Sequence, residues 1–331
     1  MAFDENEIST KSQGGTEMMK RGLQSRLPAG LADDFQIICS RVRDLDDSKI
    51  RVYWLHDLPE DPETNHLKDQ WSRSRFHKLV FCGNWQYQRY IQALGVPYDH
   101  HSTVIETAID PIEYQQKSKN EIRLIYTSTP QRGLNILVPV FEKLAEKYDN
   151  IYLDVFSSFK IYGWDDADKQ FEPLYDRCRN HPRINYHGFA TNEVVREHVQ
   201  KAHIFAYPST WNECNSRSLI EAMSAGCLCV HPNKAGLSDT AGGLTFMYQG
   251  SDNINSHAQG FYHALENAIN AVHGDELQNY LMFIKSYADS RFNWRKITQQ
   301  WTDLLKALSF QHPDIASRKV ISGPVFSYNT V

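Results

Sequence analysis

The chain alternates short apolar runs, rich in β-branched and aromatic residues, with longer stretches whose apolar residues recur at helical spacing. In the first third, four runs have the length and pattern of buried strands: residues 35–42, 49–56, 77–83 and 102–108. Three stretches are predicted to be helices: "TEMMKRGLQSRL", "PETNHLKDQWSRSR" and "NWQYQRYIQAL". Strands that alternate with helices are typical of βαβ units, so this part is predicted to be an open α/β domain with a parallel sheet.

A polar segment, "EYQQKSKN" (113–120), interrupts the alternation, which then resumes more regularly. Five further strands are predicted: "IRLIYTS", "IYLDVFSS", "INYHG", "HIFAYPS" and "CLCVHP". Helices are predicted between them, and three more follow, the last being "NWRKITQQWTDLLKAL". We therefore expect a first domain over 1–115, a second over 120–290, and a C-terminal helix and tail over 291–331.

Composition fits two soluble α/β domains and limits the partners. The 331 residues include 41% hydrophobic and 23% charged residues, and the net charge of -5 provides no general attraction to nucleic acid or to an anionic membrane. No apolar run approaches the roughly 20 residues that span a bilayer, and the acidic N-terminus "MAFDENEIST" is unlike a signal peptide. The six cysteines include no C-x-x-C pair, which favours reduced, packed thiols. We expect a cytoplasmic protein.

Two glutamates lie around the start of one predicted helix. In "STWNECNSRSLIEAMSAGCLCV" (209–230), Glu213 precedes the helix and Glu221 lies inside it, with Asn215 or Ser216 as the N-cap. The free N–H groups of this helix follow the carboxyl end of a strand, where open α/β sheets bind ligands and where a phosphate is favoured. Glu221 would lie about 7.5 Å along the helix axis, within reach of a ribose. From the spacing alone, it is an equally good interpretation that Glu221 is a solvated helix residue and Glu213 a loop acid, with no role in binding a ligand.

The same stretch resembles the E-x7-E signature of retaining glycosyltransferases of the GT-B fold, in particular the large family 4 (glycosyl transferases group 1). Further segments are similar to that family: "IYTSTPQRGLNILVPVFEKL" resembles the strand, phosphate loop and helix that open its donor domain, and "INYHGFATNEVVREHVQKAHIFAYPS" resembles its later strands. "VIETAIDP" resembles the end of its acceptor domain, so the resemblance covers most of residues 50–305. It implies two Rossmann-like domains that face a cleft, with the C-terminal helix crossing back to the first domain.

The resemblance also implies roles for individual residues. Glu213 would lie against the donor hexose, and Glu221 would bind the ribose hydroxyls. Arg132 stands where the family usually has a lysine that contacts the diphosphate, and an arginine keeps that charge. The other substrate-binding residues implied lie in the two loops of this domain: Ser128, Cys214, Asn215, Ser216 and Arg217.

Three features of the sequence bear on these implied roles. Thr127 stands where the family commonly has an arginine, which removes a counter-charge unless Lys160 or Arg217 compensates. Gly14 and Gly15 resemble the family's glycine turn, but the polar N-terminus before them makes a poor first strand, and a flexible loop is the alternative. His56 matches a family histidine near the sugar, although such a histidine is also common as a structural residue.

Other functions remain open. Asp166 and Asp168 in "GWDDAD" could hold a divalent ion in a GT-A transferase, but a solvated loop is favoured. A dehydrogenase is disfavoured because no G-x-G-x-x-G follows a strand. A catalytically silent nucleotide- or glycan-binding module of the same fold is the main alternative.

The predicted reaction moves a hexose from a nucleoside diphosphate sugar to a hydroxyl acceptor, with retention of configuration implied by the resemblance. The donor would be a UDP-, GDP- or ADP-sugar, and the acceptor a glycan or glycolipid. We expect no metal, no other cofactor and no nucleic acid partner, whereas peripheral membrane contact stays open. Arg132 and the helix N-terminus would stabilise the leaving diphosphate, while Glu213 and His56 would act at the sugar.

Overall fold

The computed structural model describes Phe3 and residues 12–315. The chain divides into two compact units, one formed by Met1–Ala108 with Trp294–Val331 and the other by Ile109–Asn293. The divisions therefore lie at residues 108 and 293, where the sequence suggested 115–120 and 290. The expectations for a first strand over residues 4–11 and for the tail over 316–331 lie outside the described residues.

The first unit contains a parallel four-stranded sheet in sequential order. Its strands are β1 (Phe35–Cys39), β2 (Ile50–Leu55), β3 (Lys78–Phe81) and β4 (Ser102–Val104). Phe3 adds an isolated parallel bridge to Ile37 beside β1. All four predicted strands are confirmed, each shorter than the apolar run that predicted it.

Helices cover both faces of this sheet, so β2 and β3 bury side chains on both sides. The helices are α1 (Gly15–Gln24), α2 (Gln70–Ser74), α3 (Asn84–Leu94) and α11 (Trp294–Gln311). On one face, Trp301 of α11 packs edge-on against Trp54 of β2, with ring centroids 4.7 Å apart. Gly22 of α1 lies directly against Trp294, because a Cβ at Gly22 would meet that ring at 2.1 Å. The C-terminal helix is therefore part of the first unit's core.

One predicted helix is broken. The stretch "PETNHLKDQWSRSR" forms a 3-10 turn over Pro62–Lys68 and then α2, rather than a single helix. Asp69 adopts an extended backbone, with φ -85° and ψ 125°, and its side chain accepts a hydrogen bond from the Trp71 N–H. An aspartate that caps the second segment competes with continuation of the first, which is why the helical periodicity was misleading here.

The second unit contains a parallel six-stranded sheet in the order β7-β6-β5-β8-β9-β10. The strands are β5 (Ile122–Thr127), β6 (Ile151–Phe156), β7 (Ile184–Tyr186), β8 (Ile204–Ala206), β9 (Leu228–Pro232) and β10 (Phe246–Tyr248). Counted from β5 as the first strand, this is the doubly wound order 3-2-1-4-5-6. Strands are added on one side of β5 up to β7 and then, from β8 onward, on its other side, so the switch point lies between β5 and β8. Ligands of such sheets bind beyond the carboxyl ends of the strands at that switch point.

Seven helices flank this sheet among the described residues. They are α4 (Leu134–Lys147), α5 (Glu172–Asn180), α6 (Asn192–Lys201), α7 (Arg217–Ser224), α8 (Gly236–Ala241), α9 (Ile254–Ala271) and α10 (Asp275–Arg291). The sequence did not identify α8 or β10, since each is too short to show a period. No helix in the described part of the chain has the length and apolarity needed to cross a membrane.

Candidate functional site

The loops after β5 and β8 meet at the switch point of the second unit. Gly133 begins α4 with φ 122°, and a Cβ at that position would lie 2.2 Å from the Pro208 carbonyl oxygen. Only glycine allows both this conformation and this close approach. The contact brings the loop that carries Arg132 against the loop that carries Glu213, so two residues that are 81 positions apart become neighbours.

Glu213 is the centre of a buried polar cluster. Its Oε1 accepts hydrogen bonds from Arg132 Nη1 at 2.9 Å and from the Tyr207 hydroxyl at 2.5 Å. Ser128 Oγ lies 3.4 Å from the Tyr207 oxygen, and the Arg132 guanidinium also lies over the Trp211 ring, 5.7 Å from its centroid. The structure thus brings together Ser128, Arg132 and Glu213, as the sequence predicted, and adds Tyr207 as a second donor to the glutamate.

The charges in this cluster stabilise one another. Burial alone would lower the pKa of Arg132, but the neighbouring Glu213 and Tyr207 raise it above its ordinary value. Burial, with Glu213 next to it, also raises the pKa of Tyr207. Tyr207 therefore stays protonated and donates, while Arg132 stays cationic.

The Glu213 backbone is fixed by α8. The Gly236 N–H donates to the Glu213 carbonyl oxygen at 2.9 Å, and a Cβ at Gly236 would lie 2.3 Å from the Cys214 carbonyl oxygen. Gly236 lies in the segment whose structure the sequence did not predict. The close approach of these backbones holds Glu213 and Cys214 in place from behind.

The N-terminus of α7 follows immediately. Ser216 is the N-cap, and its hydroxyl accepts from the Leu219 N–H, which confirms one of the two predicted caps. Both polar atoms of the Asn215 side chain are buried without a hydrogen-bond partner in the described part of the chain, and so is Arg132 Nε. Buried polar atoms are normally satisfied, so orphan groups beside a helix N-terminus indicate a place where a polar ligand binds.

Glu221 is held by side chains from two helices. Its Oε1 accepts from Arg217 Nη2 at 2.9 Å, Arg196 Nη1 at 3.1 Å and Asn192 Nδ2 at 3.4 Å. Glu221 is buried, so it is neither a solvated helix residue nor free of charge partners. The two guanidiniums and one carboxylate leave this cluster with one net positive charge. The sequence missed Asn192 and Arg196 because they come from α6, distant along the chain.

A cavity of 400 Å³ lies beside the Glu221 cluster. Asn192, Arg196 and Arg217 line one part of it, and the segment from Asp110 to Glu113 lines another. The guanidiniums that bind Glu221 are therefore reachable from a space large enough for part of a nucleotide.

The suggested replacements for the missing family arginine have other contacts. Arg217 is bound to Glu221, and Lys160 is exposed, with its Nζ 3.9 Å from Asp165. At Thr127 itself, the carbonyl oxygen accepts from the Ser218 hydroxyl at 2.9 Å, which ties the end of β5 to α7.

The Asp166 and Asp168 carboxylates make separate contacts. Asp168 accepts from the Phe159 N–H and the Tyr175 hydroxyl, both at 2.8 Å, and from Ser158 Oγ at 2.5 Å. Asp166 is exposed and pairs with Lys169. The segment is a 3-10 turn over Asp165–Phe171, and Asp168 is a structural acceptor within it rather than a solvated loop residue.

His56 lies in the first unit, directly after β2. Its Nδ1 is 3.3 Å from Cys82 Sγ, and its ring packs on Trp54 with centroids 4.5 Å apart. Burial lowers the pKa of His56 to about 3, so the ring is neutral near pH 7. A neutral ring can exchange hydrogen bonds with a hydroxyl but supplies no positive charge.

Gly14 and Gly15 lie at the start of α1 in the first unit. Gly14 is the N-cap with φ -66°, and no atom lies within 4 Å of a Cβ built on Gly15. The backbone at Gly14 and the packing around Gly15 therefore do not require glycine. The predicted approach of a phosphate to this turn stays a prediction.

The comparisons with known proteins agree with this geometry. A family model described as glycosyl transferases group 1 matches residues 122–267, which contain β5, Arg132 and both glutamates. No match was found among curated proteins. A glycosyltransferase from Rickettsia africae has a similar structure, with a TM-score of 0.66 and 13% identity over 91% of this chain and 84% of that one.

Two further solved structures are similar. Anabaena HepE in complex with UDP and glucose has a TM-score of 0.60 and 16% identity, over 88% of this chain and 82% of that one. Sucrose-phosphate synthase from Thermosynechococcus elongatus has a TM-score of 0.59 and 13% identity, over 91% and 79% of the two chains. At such identities the likeness shows the fold, and it confirms the predicted α/β class and GT-B type. The family model matches less than half of the chain, and all the matched residues lie in the second unit.

Proposed function

We propose that this chain is a glycosyltransferase, which moves a hexose from a nucleoside diphosphate sugar to a hydroxyl group of a glycan or glycolipid, with retention of anomeric configuration and without a metal at the diphosphate. The observation that carries the proposal is the position of the two glutamates. Glu213 and Glu221 flank the N-terminus of α7 at the switch point of the second unit's sheet, each bound by arginine.

The groups around α7 suit the leaving diphosphate. Cleavage of the glycosidic bond develops negative charge on the diphosphate and positive charge on the sugar. Arg132 Nε, the Asn215 amide and the first N–H groups of α7 would stabilise the diphosphate. The three donors to Glu221 all bind Oε1, which leaves Oε2 to accept from the ribose hydroxyls.

Glu213 would act at the sugar. Its carboxylate is held by Arg132 and Tyr207, so it is positioned before substrate arrives and can offset the charge of the oxocarbenium-like transition state. The acceptor proton can pass to the departing phosphate oxygen in a front-face displacement, which needs no separate base. His56 would serve as a neutral hydrogen-bonding partner of the sugar or the acceptor.

A uridine nucleotide is the first donor to test. HepE was crystallised with UDP and with UDP-glucose, and a trehalose-6-phosphate protein from E. coli with UDP-2-fluoro glucose. The cavity lined by Asn192 and Arg196, next to Glu221, is where the nucleoside part would lie.

A silent binding module is the second candidate. It is favoured by Thr127 at the position of the family's arginine and by the pairing of Arg132 with Glu213, since both reduce the charge available to the diphosphate. Both candidates bind a nucleotide, and only the enzyme releases the nucleoside diphosphate from the sugar nucleotide.

Thermal unfolding with UDP, GDP and ADP, each with magnesium or with EDTA, tests the site. A ligand at 100 times its Kd stabilises the folded chain by about 2.7 kcal/mol, or roughly 5–10 °C for a unit of this size. We expect one nucleotide to raise the Tm equally in magnesium and EDTA. The shift should fall in Glu221→Gln and persist in Glu276→Gln, a matched change at an exposed glutamate of α10.

Turnover is then measured as release of the nucleoside diphosphate from the sugar nucleotide. Glu213→Gln should lose turnover while keeping the nucleotide-induced shift, because the phosphate-binding groups remain. No shift with any nucleotide would overturn the proposed site, and binding without turnover in the wild type would favour the silent module.

A further inference from the structure

Three potential metal ligands lie together at the β6–β7 edge of the second unit's sheet. They are Asp154 of β6, His187 directly after β7, and His198 of α6, and their ligand atoms all lie within 4.8 Å of one another. None of the three belongs to the Glu213 and Glu221 clusters. This is the one such group of three found among the described residues.

His198 already has the hydrogen bonding of a metal ligand. His198 Nδ1 lies 3.0 Å from the Val194 carbonyl oxygen, which can only accept, so the proton of the neutral ring is on Nδ1 and the lone pair is on Nε2. Metal-binding histidines usually donate their second N–H to a carbonyl or carboxylate in this way. Val194 lies one turn earlier on the same helix, so α6 itself orients the ring.

His187 is held by both a ring and a carboxylate. Its ring stacks on Phe156, with centroids 4.2 Å apart and an angle of 5° between the planes. Its Nε2 lies 2.9 Å from Asp154 Oδ1, and its ring centroid is 4.7 Å from that of His198. A metal between these atoms would take the Nε2 lone pair of the other neutral tautomer, with the proton on Nδ1.

Asp154 supplies a buried carboxylate. Its Oδ1 lies 2.9 Å from His187 Nε2 and accepts a hydrogen bond from Asn185 Nδ2 at 3.2 Å. Arg123 Nη1 is 3.6 Å from Oδ2, which offsets part of the charge. Oδ1 faces His187, and a cation at this place would replace the proton that lies between His187 Nε2 and Oδ1.

The spacing fits a four-coordinate ion after a small movement. Zn–N and Zn–O bonds of about 2.0–2.1 Å place tetrahedral ligand atoms about 3.4 Å apart. The 2.9 Å separation of Asp154 from His187 is slightly shorter than this, and the widest separation in the group must close by about 1.4 Å. His187 is exposed and His198 partly so, which leaves room for rotation of the rings.

We propose that Asp154, His187 and His198 bind one Zn²⁺ ion, with water as the fourth ligand. Imidazole and carboxylate ligands suit zinc, and two histidines with one carboxylate form a known three-ligand set. The ion would join β6, β7 and α6. The helix α6 also carries Asn192 and Arg196, which bind Glu221. The zinc ion would therefore fix the position of the helix that holds Glu221.

The test is metal binding by the full chain, stripped with a chelator and free of any histidine tag. Zn²⁺ is titrated in competition with a chromophoric chelator, and Co²⁺ replaces it as a spectroscopic probe of coordination. We expect one ion per chain and the visible absorption of four-coordinate Co²⁺. His198→Ala and His187→Ala should each weaken Zn²⁺ binding at least about tenfold, since even changes behind a ligand cost that much.

His263→Ala is the matched control, because His263 is an exposed histidine of α9 outside the group. It should bind Zn²⁺ as the wild type does. Circular dichroism confirms that both ligand variants, which change accessible side chains, remain folded. Absence of one-to-one binding, or equal affinity in His198→Ala and the wild type, would overturn the proposal. No nucleotide is present, so failure here leaves the proposed function untouched.

Discussion

Removal of one hydroxyl at Tyr207 isolates the interaction that holds Glu213. The Tyr207→Phe change keeps the ring in the core and deletes the donor at 2.5 Å from Glu213 Oε1, together with a longer contact of 3.4 Å to Ser128 Oγ. Tyr126→Phe is a matched control. Tyr126 is buried like Tyr207, its ring centroid is 5.8 Å away, and its hydroxyl donates to the neutral Thr129 carbonyl oxygen at 2.8 Å.

The two changes differ in the charge of the acceptor. A hydrogen bond to a charged group contributes about 1.5–3 kcal/mol, against about 0.5–1.5 kcal/mol for a neutral pair. Arg132 still binds Glu213 in Tyr207→Phe, so the loss is that of one bond rather than of an unpaired charge. We expect Tyr207→Phe to lower the free energy of unfolding by about 2 kcal/mol and Tyr126→Phe by about 1 kcal/mol.

Calorimetry of the full chain measures both variants. With roughly 2–4 °C per kcal/mol for a unit of this size, Tyr207→Phe should lower the Tm of the second unit's transition by about 4–8 °C, and Tyr126→Phe by about half as much. A double-mutant cycle of Tyr207→Phe with Glu213→Gln should give a coupling energy of about 1 kcal/mol. Equal effects of the two tyrosine changes, with no coupling to Glu213, would refute the idea that the phenol holds a carboxylate.

Two further outcomes follow from the second unit. Gly133→Ala should lower its Tm by several degrees, because φ is 122° and the new Cβ meets the Pro208 carbonyl oxygen. A Tm equal to that of the wild type would contradict this close packing. Burial lowers the pKa of both His203 and His231 to about 4, so the folded chain keeps them neutral. As the pH falls below 6.5 the unfolded chain takes up these protons first, and stability should decline by up to about 1.4 kcal/mol per pH unit for each histidine; a Tm that is constant between pH 6.5 and 5 would disprove this.

The structure explains the His203 prediction in terms of its tautomer. Nδ1 accepts from the Arg123 N–H at 3.0 Å, and Nε2 lies 2.7 Å from the Ser118 carbonyl oxygen, so Nε2 must donate. A second proton on Nδ1 would face another N–H. The backbone on both sides therefore favours the neutral ring, in addition to burial.

The elements of the second unit were predictable because local and global signals agree. The strands β5, β6, β8 and β9 are largely buried on both faces and therefore show continuous apolar runs, as in "IRLIYTS". The α7 N-cap at Ser216 could also be identified, because capping depends on a few consecutive residues. By contrast, the α2 region was misjudged because one side chain, Asp69, decides where the helix begins.

The contacts of the site could not be predicted in the same way. Tyr207 looks like one more apolar residue at the end of a strand, and its role depends on a hydroxyl that meets Glu213 across a loop. Arg196 lies on a separate amphipathic helix, 25 residues from Glu221, and nothing in its local sequence distinguishes it from a solvated arginine. Such pairs are set by the way the helices pack on the sheet, which a linear pattern does not specify.

The charges of the site explain how the proposed donor could bind although Thr127 replaces an arginine. Arg132 and Glu213 neutralise each other, so the first glutamate adds no net repulsion toward a diphosphate. Around Glu221, Arg196 and Arg217 outnumber the single carboxylate, and the positive end of α7 lies on the same side. The attraction that the family obtains from an arginine after the first strand of the donor domain would therefore come from α6 and α7.

Arg196→Met should then weaken nucleotide binding more than Arg177→Met does. Arg177 lies on α5 and binds Glu142 of α4, so the control changes an arginine that is in neither glutamate cluster. Equal nucleotide affinities in these two variants would show that the diphosphate draws its counter-charge from elsewhere.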